Sequence, residues 1–174
     1  MNNYTILRTF SLLLLFSIFS NNLKSQEKIY SKDVASIENI VDAVLESLSG
    51  DKGVERDWKR FRNLFLPTAQ INAVFHKNDS SWIKIHTIDE FIDIAGTWYK
   101  DNGFREYSYK NQIDIFGNIA QVFQSYGAKL SDGVEIDRGI NSFQLVYDKE
   151  RWWVVNIIWD SETQKHKIPK KYLE

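Results

Sequence analysis

The sequence predicts an α+β protein in which N-terminal helices pack on a strongly curved antiparallel sheet. Before residue 104, apolar residues recur at spacings of three and four in several segments, which is the period of an amphipathic helix. From residue 104 onward the period changes to two, as in strands that are buried on one side. The chain has 174 residues, 43% of them hydrophobic, and contains no internal repeat or linker. We therefore predict one domain over residues 26–160.

Composition and charge exclude several classes of function. The chain contains no cysteine, so disulfide bonds, thiolate zinc sites and cysteine nucleophiles are excluded. A formal net charge of −1 argues against a general nucleic-acid-binding protein, which needs a basic surface. The G-x-S-x-G, H-E-x-x-H, P-loop and G-x-G-x-x-G motifs do not occur in the sequence. We predict no cofactor, no metal site and no nucleic-acid partner.

The N-terminus has the composition of a secretory signal peptide over residues 1–25. A polar stretch ending at Arg8 is followed by the apolar run TFSLLLLFSIFS and then by a polar segment ending at Ser25. As a helix this run would be about 18 Å long, too short for a hydrocarbon core of about 30 Å. We predict cleavage near Ser25, export to a bacterial periplasm or the exterior, and no stable membrane anchor afterwards. An uncleaved anchor is the alternative, because the residues before the cleavage point are atypical.

Three helices are predicted in the first part of the domain. Residues 33–49 carry an apolar stripe on one face and are followed by glycines that end the helix. A short second helix begins at Asp57, a favourable N-cap residue, and Pro67 stops it. The third begins at Thr87, where a T-x-x-E capping box with Glu90 satisfies N–H groups of the first turn.

Six strands are predicted around these helices. Residues 69–75 and 82–86 form two short strands separated by a polar turn. Four longer strands follow, and the turns between them are predicted at Gly117-Asn118, Asp132-Gly133 and Lys149-Glu150. The first two dipeptides favour hairpins because glycine and asparagine tolerate positive φ, whereas the third is supported by its position. Residues 161–174 form a polar, basic tail on the surface.

The hairpin registers determine which side chains share a face of the sheet, if each turn contains two residues. On the face predicted to be concave and covered by helices, amides form a line across three strands at Asn111, Gln124 and Asn141. Tyr109 is predicted opposite Tyr126 beside this line. Buried amides and phenols need hydrogen bonds, so these groups either bond one another, the backbone and water, or line a ligand pocket. A slip of one residue in any turn would reverse the assignments.

This face supplies the candidate site residues. The predicted ligand-binding residues are Trp98, Tyr109, Asn111, Gln124, Tyr126, Asn141 and Asn156. The candidate catalytic residues are Asp137, Asp160 and Tyr126. A carboxylate in an apolar cavity would have a raised pKa, which suits acid–base chemistry near neutral pH.

The opposite face of the predicted sheet is polar on three strands and apolar on the last. Its apolar residues are Trp153, Val155, Ile157 and Trp159. Exposed apolar patches of this size usually contact a partner, so we predict a symmetric homodimer through this face. The alternative is that the C-terminal tail covers the patch.

The order of helices followed by a curved antiparallel meander resembles the NTF2-like (SnoaL-like) cone fold. The run ERDWKRFRNLFLPTAQI is similar to the helix–Pro–strand entry of that superfamily, and RGINSFQLVYDKERWWVVNIIWDSE to its last hairpin. The resemblance covers most of residues 33–160 and is closest to uncharacterised exported members. It implies the fold alone, because the same cone carries several enzymes and binding modules. Ketosteroid isomerases of this fold place an aspartate base near the position of Ala73, so the resemblance does not imply their activity.

Two functions from different classes remain open at the level of sequence. The first is an exported binding module that holds a small apolar or amphipathic molecule in the cone, favoured by a cavity face rich in amides. The second is a lyase, isomerase or hydrolase without a cofactor, with Asp137 or Asp160 as the base and Tyr126 as a hydrogen-bond donor.

Overall fold

The structure is a computed structural model, and it describes residues 30–174. Residues 33–174 form one compact unit of helices and a six-stranded sheet. In chain order the elements are α1 (Ile37–Leu48), α2 (Trp58–Asn63), β1 (Phe65–Lys77), β2 (Ser80–Thr87), α3 (Ile88–Asn102), β3 (Arg105–Phe116), β4 (Ile119–Lys129), β5 (Glu135–Asp148), β6 (Arg151–Ser161) and a 3-10 turn (Lys170–Tyr172). The predicted signal peptide lies outside the described residues. Within residues 30–174, no helix is long and apolar enough to cross a membrane.

All three helices begin at side-chain caps, of which Asp57 and the Thr87–Glu90 box were predicted; the first helix, predicted from residue 33, begins at Ile37. Ser36 caps α1 and Asp57 caps α2, and each side chain accepts a hydrogen bond from a backbone N–H of the first turn. At α3 the Thr87 hydroxyl and the Glu90 carboxylate form the complete capping box. Gly103 ends α3 with a positive φ of 69°. These local signals position three amphipathic helices against the sheet.

The sheet has the strand order β2-β1-β6-β5-β4-β3 and curls around the helices. All neighbours are antiparallel except β1 and β6, which run parallel. Contrary to the prediction, Pro67 does not stop α2, because the helix ends at Asn63 and Pro67 lies inside β1. The pairing of β1 with β6 passes directly from Phe65 to Gln70, so the proline, which has no N–H, lies in the skipped stretch.

The predicted hairpin registers are correct next to the first and third turns and shifted next to the second. Phe116 pairs with Ile119 across Gly117-Asn118, and Asp148 pairs with Arg151 across Lys149-Glu150. The connection around Asp132-Gly133 is longer than predicted, since β4 ends at Lys129 and β5 begins at Glu135, but most of the β4–β5 register is the predicted one.

A bulge in β3 reverses the faces of its first residues. The β3–β4 register shifts between Ser108 and Lys110, and Tyr109 is the extra residue. Tyr126 therefore pairs with Ser108 and not with Tyr109, which contradicts the prediction. N-terminal to the bulge, Glu106 shares the concave face with Ala128, its partner on β4. The tyrosines Tyr107 and Tyr109 move to the outer face of the sheet, where both hydroxyls donate to Glu135.

A second bulge reverses the faces in β6. The β5–β6 register shifts after the Leu145–Val154 pair, with Val155 as the extra residue. Ile157 and Trp159 then turn to the concave side, where they line the cavity described below. The outer patch predicted for dimer formation is thus wrong in two of its four members and retains only Trp153 and Val155. The homodimer itself stays a prediction.

The C-terminal tail lies on the outer face of the sheet. Tyr172 packs against Phe123 of β4 with ring centroids 5.3 Å apart, and its carbonyl accepts a hydrogen bond from Ser125. The terminal residue accepts a hydrogen bond from Lys110 of β3 through its carbonyl oxygen. These contacts lie on β3 and β4, whereas the predicted alternative had the tail covering the apolar patch of the last strand.

Candidate functional site

A cavity of about 570 Å³ lies between the helices and the concave face of the sheet. Most of the side chains that line it are apolar, and they come from all three helices and from five of the six strands. A cavity of this size with few polar groups is typical of a small-molecule site. Its lining residues are Val44, Leu45, Leu48, Phe61, Phe65, Ile71, Phe75, Phe91, Ile94, Ala95, Trp98, Tyr99, Phe104, Glu106, Tyr126, Ala128, Ile136, Asp137, Asn141, Ile157 and Trp159.

The mouth of the cavity is formed by apolar side chains that are exposed to solvent. Ile94 and Trp98 on α3, Phe75 on β1 and Ile136 on β5 all line the cavity and have large exposed fractions. The opposite end is closed by side chains such as Phe61 that are fully buried. These exposed side chains give the cavity an apolar opening that an apolar molecule can contact.

Aromatic rings form a connected network along the helix side of the cavity. Tyr99 stacks on Phe104 with centroids 4.4 Å apart, and Phe91 makes edge contacts with Tyr99 and Trp159 at 6.4 Å and 6.5 Å. Trp98 extends this network toward the mouth, 6.2 Å from Phe104. These rings give the cavity flat, polarisable walls.

Glu106 is the polar group that most distinguishes the cavity. Its Oε1 accepts a hydrogen bond of 2.8 Å from Asn141 Nδ2, while Oε2 has no partner among residues 30–174. Burial raises the pKa of Glu106 to about 7; the hydrogen bond from Asn141 lowers it, and the charge of Asp137 raises it. The side chain therefore exists in both protonation states at neutral pH.

Asp137 forms a separate, fully bonded cluster in the same cavity. Its Oδ2 accepts hydrogen bonds from the Tyr126 hydroxyl at 2.8 Å and from Ser161 at 2.9 Å, and Oδ1 accepts from the Arg138 backbone N–H. Burial and the charge of Asp137 raise the pKa of Tyr126, so the phenol keeps its proton. That proton is committed to Asp137, which leaves Tyr126 without a donor for a ligand.

The predicted line of amides exists, and its members bond one another. Gln124 donates to Asn111 at 3.0 Å and accepts from Asn141 at 3.2 Å. Gln124 is fully buried and does not line the cavity, nor does Asn111. The line thus leads from the interior of the sheet to Asn141, which meets Glu106 at the cavity surface.

The structure separates the predicted site residues into two groups. Trp98, Tyr126, Asn141 and Asp137 line the cavity. The others do not: Asn111 and Gln124 lie behind it, Tyr109 and Asn156 are on the outer side of the sheet, and Asp160 is exposed and paired with His76 at 2.6 Å. The outward positions of Tyr109, Asn156 and Asp160 all follow from the two bulges.

Sequence reasoning missed Glu106, the only carboxylate of the cavity with an unused oxygen among the described residues. An available signal was Gly127, an isolated glycine inside a strand, which often marks a bulge or a close approach. A Cβ on Gly127 would lie 2.6 Å from the hydroxyls of Tyr107 and Tyr109. The glycine therefore makes room for the tyrosines that the bulge turns outward, and so permits Glu106 to face inward.

No metal site accompanies these carboxylates in the described part of the chain. Within residues 30–174, no group of three or more His, Asp or Glu side chains is arranged to hold a metal ion.

Comparison with known proteins identifies the fold. No protein-family model matches the chain, and no curated protein matches it. Solved structures do. A protein of unknown function with a cystatin-like fold from Nostoc punctiforme has a TM-score of 0.58 and 10% identity, covering 74% of this chain and 90% of that one. An NTF-2 like protein of unknown function from Silicibacter pomeroyi has a TM-score of 0.51 and 14% identity, with 74% and 94% covered. The chain therefore has the NTF2-like fold that the sequence predicted.

Proposed function

We propose that this protein is an exported binding protein that holds a small, mostly apolar molecule in the cone cavity. The observation that carries the proposal is the open apolar cavity of about 570 Å³, with a carboxylate at its wall that has one unused oxygen. The apolar side chains that line the cavity have fewer contacts with other protein atoms than a filled core would provide. Binding of a ligand restores those contacts.

The polar groups of the cavity support an amphipathic ligand with one polar end. Glu106 has an unused oxygen, and Tyr99, which also lines the cavity, makes no hydrogen bond through its hydroxyl within residues 30–174. Both groups lie among aromatic side chains. A ligand with a polar end near Glu106 would leave its apolar part against the aromatic network and the mouth.

Binding can be tested with N-phenyl-1-naphthylamine, an uncharged apolar dye whose fluorescence rises in apolar surroundings. We expect a saturable signal with the protein from residue 26 onward. The variant Ala95→Phe should reduce the signal by tenfold or more, since Ala95 lines the cavity and a larger side chain would fill it. The matched control is Asp93→Phe, on the same helix at an exposed position outside the lining. A signal that is insensitive to Ala95→Phe would place the dye elsewhere and contradict the proposal.

Acid–base catalysis is the second candidate, and the pKa of Glu106 favours it. A carboxylate with a pKa of about 7 in an apolar cavity can accept a proton and return it at neutral pH, as a cofactor-independent lyase or isomerase requires. The role predicted for Asp160 passes to Glu106, because Asp160 lies outside the cavity.

This candidate can be tested with 5-nitrobenzisoxazole, a flat apolar probe of general-base catalysis. Glu106 would take the proton from carbon 3 while the N–O bond breaks, giving a coloured nitrophenolate. We expect a rate that rises as pH increases through about 7 and is lost in Glu106→Gln, which keeps the shape of the side chain. A rate that is equal in wild type and Glu106→Gln would exclude Glu106 as a base and leave the binding proposal intact.

A further inference from the structure

We propose that the cavity selects ligands that carry a positive charge, namely protonated organic amines with an apolar body. This inference rests on the proposed binding function and deepens it by assigning the chemical class of the ligand. It follows from the charges, the hydrogen-bond acceptors and the aromatic rings that the fold brings together around one space.

The first argument is the sign of the charges in the cavity. Among residues 30–174, Glu106 and Asp137 are the only carboxylic acids that line the cavity, and no lysine, arginine or histidine lines it. Asp137 already accepts hydrogen bonds from Tyr126 and Ser161. An anionic ligand would meet two like charges in an apolar space and no counter-charge, which is unfavourable.

The second argument is that nearby cations are occupied elsewhere. Arg56, which is buried near the cavity, donates to the backbone carbonyls of Leu48, Gly50, Val54 and Tyr99 at 2.6–3.0 Å. Arg105 pairs with Asp51 at 2.6 Å, and Arg138 pairs with Glu162. Within residues 30–174, no cation pairs with Glu106, so a cationic ligand would supply the counter-charge that the fold omits.

The third argument is the chemistry of the remaining contacts. The unused Oε2 of Glu106 is a hydrogen-bond acceptor, and an ammonium group has donors only. The rings of Tyr99, Phe104 and Trp98, which line the same cavity, offer the electron-rich faces that attract organic cations. A protonated amine can therefore donate a hydrogen bond to the Glu106 carboxylate and pack its charge against the aromatic faces.

Several other titratable groups affect the charge of Glu106, and the Glu106→Gln and Asp114→Asn variants leave all of them unchanged. Asp137 and Tyr126 face it from the neighbouring strands and Tyr99 from α3. On the side toward α1, Glu106 borders a shallow depression. This depression also holds Asp42, Glu46, Arg105 and Lys129. Since only the ionised form of Glu106 attracts an ammonium group, amine affinity should rise about tenfold from pH 6 to pH 8.

The test compares decylamine, decanol and decanoate by calorimetry at pH 8, below their micellar concentrations. We expect decylamine to bind at least tenfold more tightly than decanoate and severalfold more tightly than decanol. In Glu106→Gln the advantage of the amine over the alcohol should disappear. Asp114→Asn, which removes an exposed negative charge from the outer side of the same strand, should leave it unchanged.

The outcomes distinguish the inference from the function beneath it. Equal affinity for the three decyl compounds, with binding reduced by Ala95→Phe, would overturn the charge selectivity and leave the binding function standing. If the preference for the amine survived in Glu106→Gln, it would come from charges on the protein surface, and this result would also overturn the inference. Failure of all three compounds and of the dye to bind would overturn the proposed function itself.

Discussion

Asn141 Nδ2 donates a hydrogen bond of 2.8 Å to Oε1 of Glu106, joining an amide from the middle of β5 to a carboxylate from the start of β3. The same amide nitrogen also donates to Gln124 on the strand between them, at 3.2 Å. The carboxylate is therefore held by a side chain whose own position is fixed by the interior of the sheet. This fixed geometry holds the half-buried acid at the cavity wall.

Replacing Glu106 should make the protein more stable at alkaline pH. Because the folded pKa is about 7 and the unfolded value 4.5, the folded state favours the protonated acid. The stability of the wild type therefore falls as pH rises from 4.5 through 7, and the cost is complete above that range. We expect Glu106→Gln to raise the free energy of unfolding by roughly 2 kcal/mol at pH 8.

The measurement is urea denaturation of both proteins at pH 4.5 and pH 8. The two should have similar stability at the lower pH, where the folded acid is protonated and the unfolded acid is half protonated, so that little of the cost is present. Glu135→Gln is the control, because hydrogen bonds from Tyr107 and Tyr109 lower the pKa of that carboxyl. Its removal should therefore give no gain in stability at pH 8. If Glu106→Gln were less stable than wild type at pH 8, other contacts would have to stabilise the ionised carboxylate in the folded state.

Tyr126→Phe should destabilise the fold, because it removes the hydroxyl that Asp137 accepts from. Tyr126 is 3% exposed and its hydroxyl lies 2.8 Å from Asp137 Oδ2. Loss of a buried hydrogen bond to a charged group costs about 1–3 kcal/mol. Chemical denaturation should show this loss, whereas Tyr147→Phe, at an exposed position, should change stability by less than about 0.5 kcal/mol. Equal effects of the two variants would mean that a water molecule can replace the hydrogen bond from Tyr126 to Asp137 at little cost in stability.

The helices and hairpins were predictable because their signals are local. The Thr87–Glu90 capping box and the Gly117-Asn118 turn each depend on a few neighbouring residues, and both formed as predicted. The period of the apolar residues similarly placed three helices before a meander. The fold was therefore accessible from the sequence.

The candidate site was predictable only in part, because it depends on strand faces. Faces alternate with a period of two, so one extra residue reverses every side chain beyond it. Tyr109 and Val155 are such residues, and nothing in their chemistry marks a bulge. Asn141 and Asp137 were placed correctly because the β4–β5 register between Ala128 and Ile119 has no shift. Glu106 was missed because it lies beyond the bulge in β3.

The turn between β5 and β6 offers a stabilising substitution. Lys149 and Glu150 both adopt positive φ, at 51° and 63°. Residues other than glycine and asparagine are strained in this region of backbone conformation. Lys149→Asn combined with Glu150→Gly should raise the free energy of unfolding by about 1 kcal/mol. Thermal unfolding would detect this as a higher Tm.

The matched control for this turn is Gly117→Ala in the β3–β4 hairpin. Gly117 also has a positive φ, of 55°, and a Cβ there would meet nothing within 4 Å. Alanine should therefore lower stability through backbone strain alone, by about 1 kcal/mol. If neither hairpin responded, positive φ at these turns would not be a determinant of stability.

Removal of the C-terminal tail should expose the outer face and promote self-association. In the full chain Tyr172 covers Phe123, and Ser125, fully buried, donates to the Tyr172 carbonyl. A chain ending at Ser161 would leave Phe123 uncovered on the same face of the β3–β4 hairpin as Phe116, which is 84% exposed. Additional exposed apolar surface favours association. Light scattering after size-exclusion chromatography should show a larger dimer fraction for the truncated chain than for the full chain. Phe123→Ser in the truncated chain should lower the dimer fraction again.

The contradicting outcome is a full chain that is already a dimer and that Tyr172→Ala leaves unchanged. Its interface would then lie away from the tail, and Trp153 and Val155 would be the first positions to substitute.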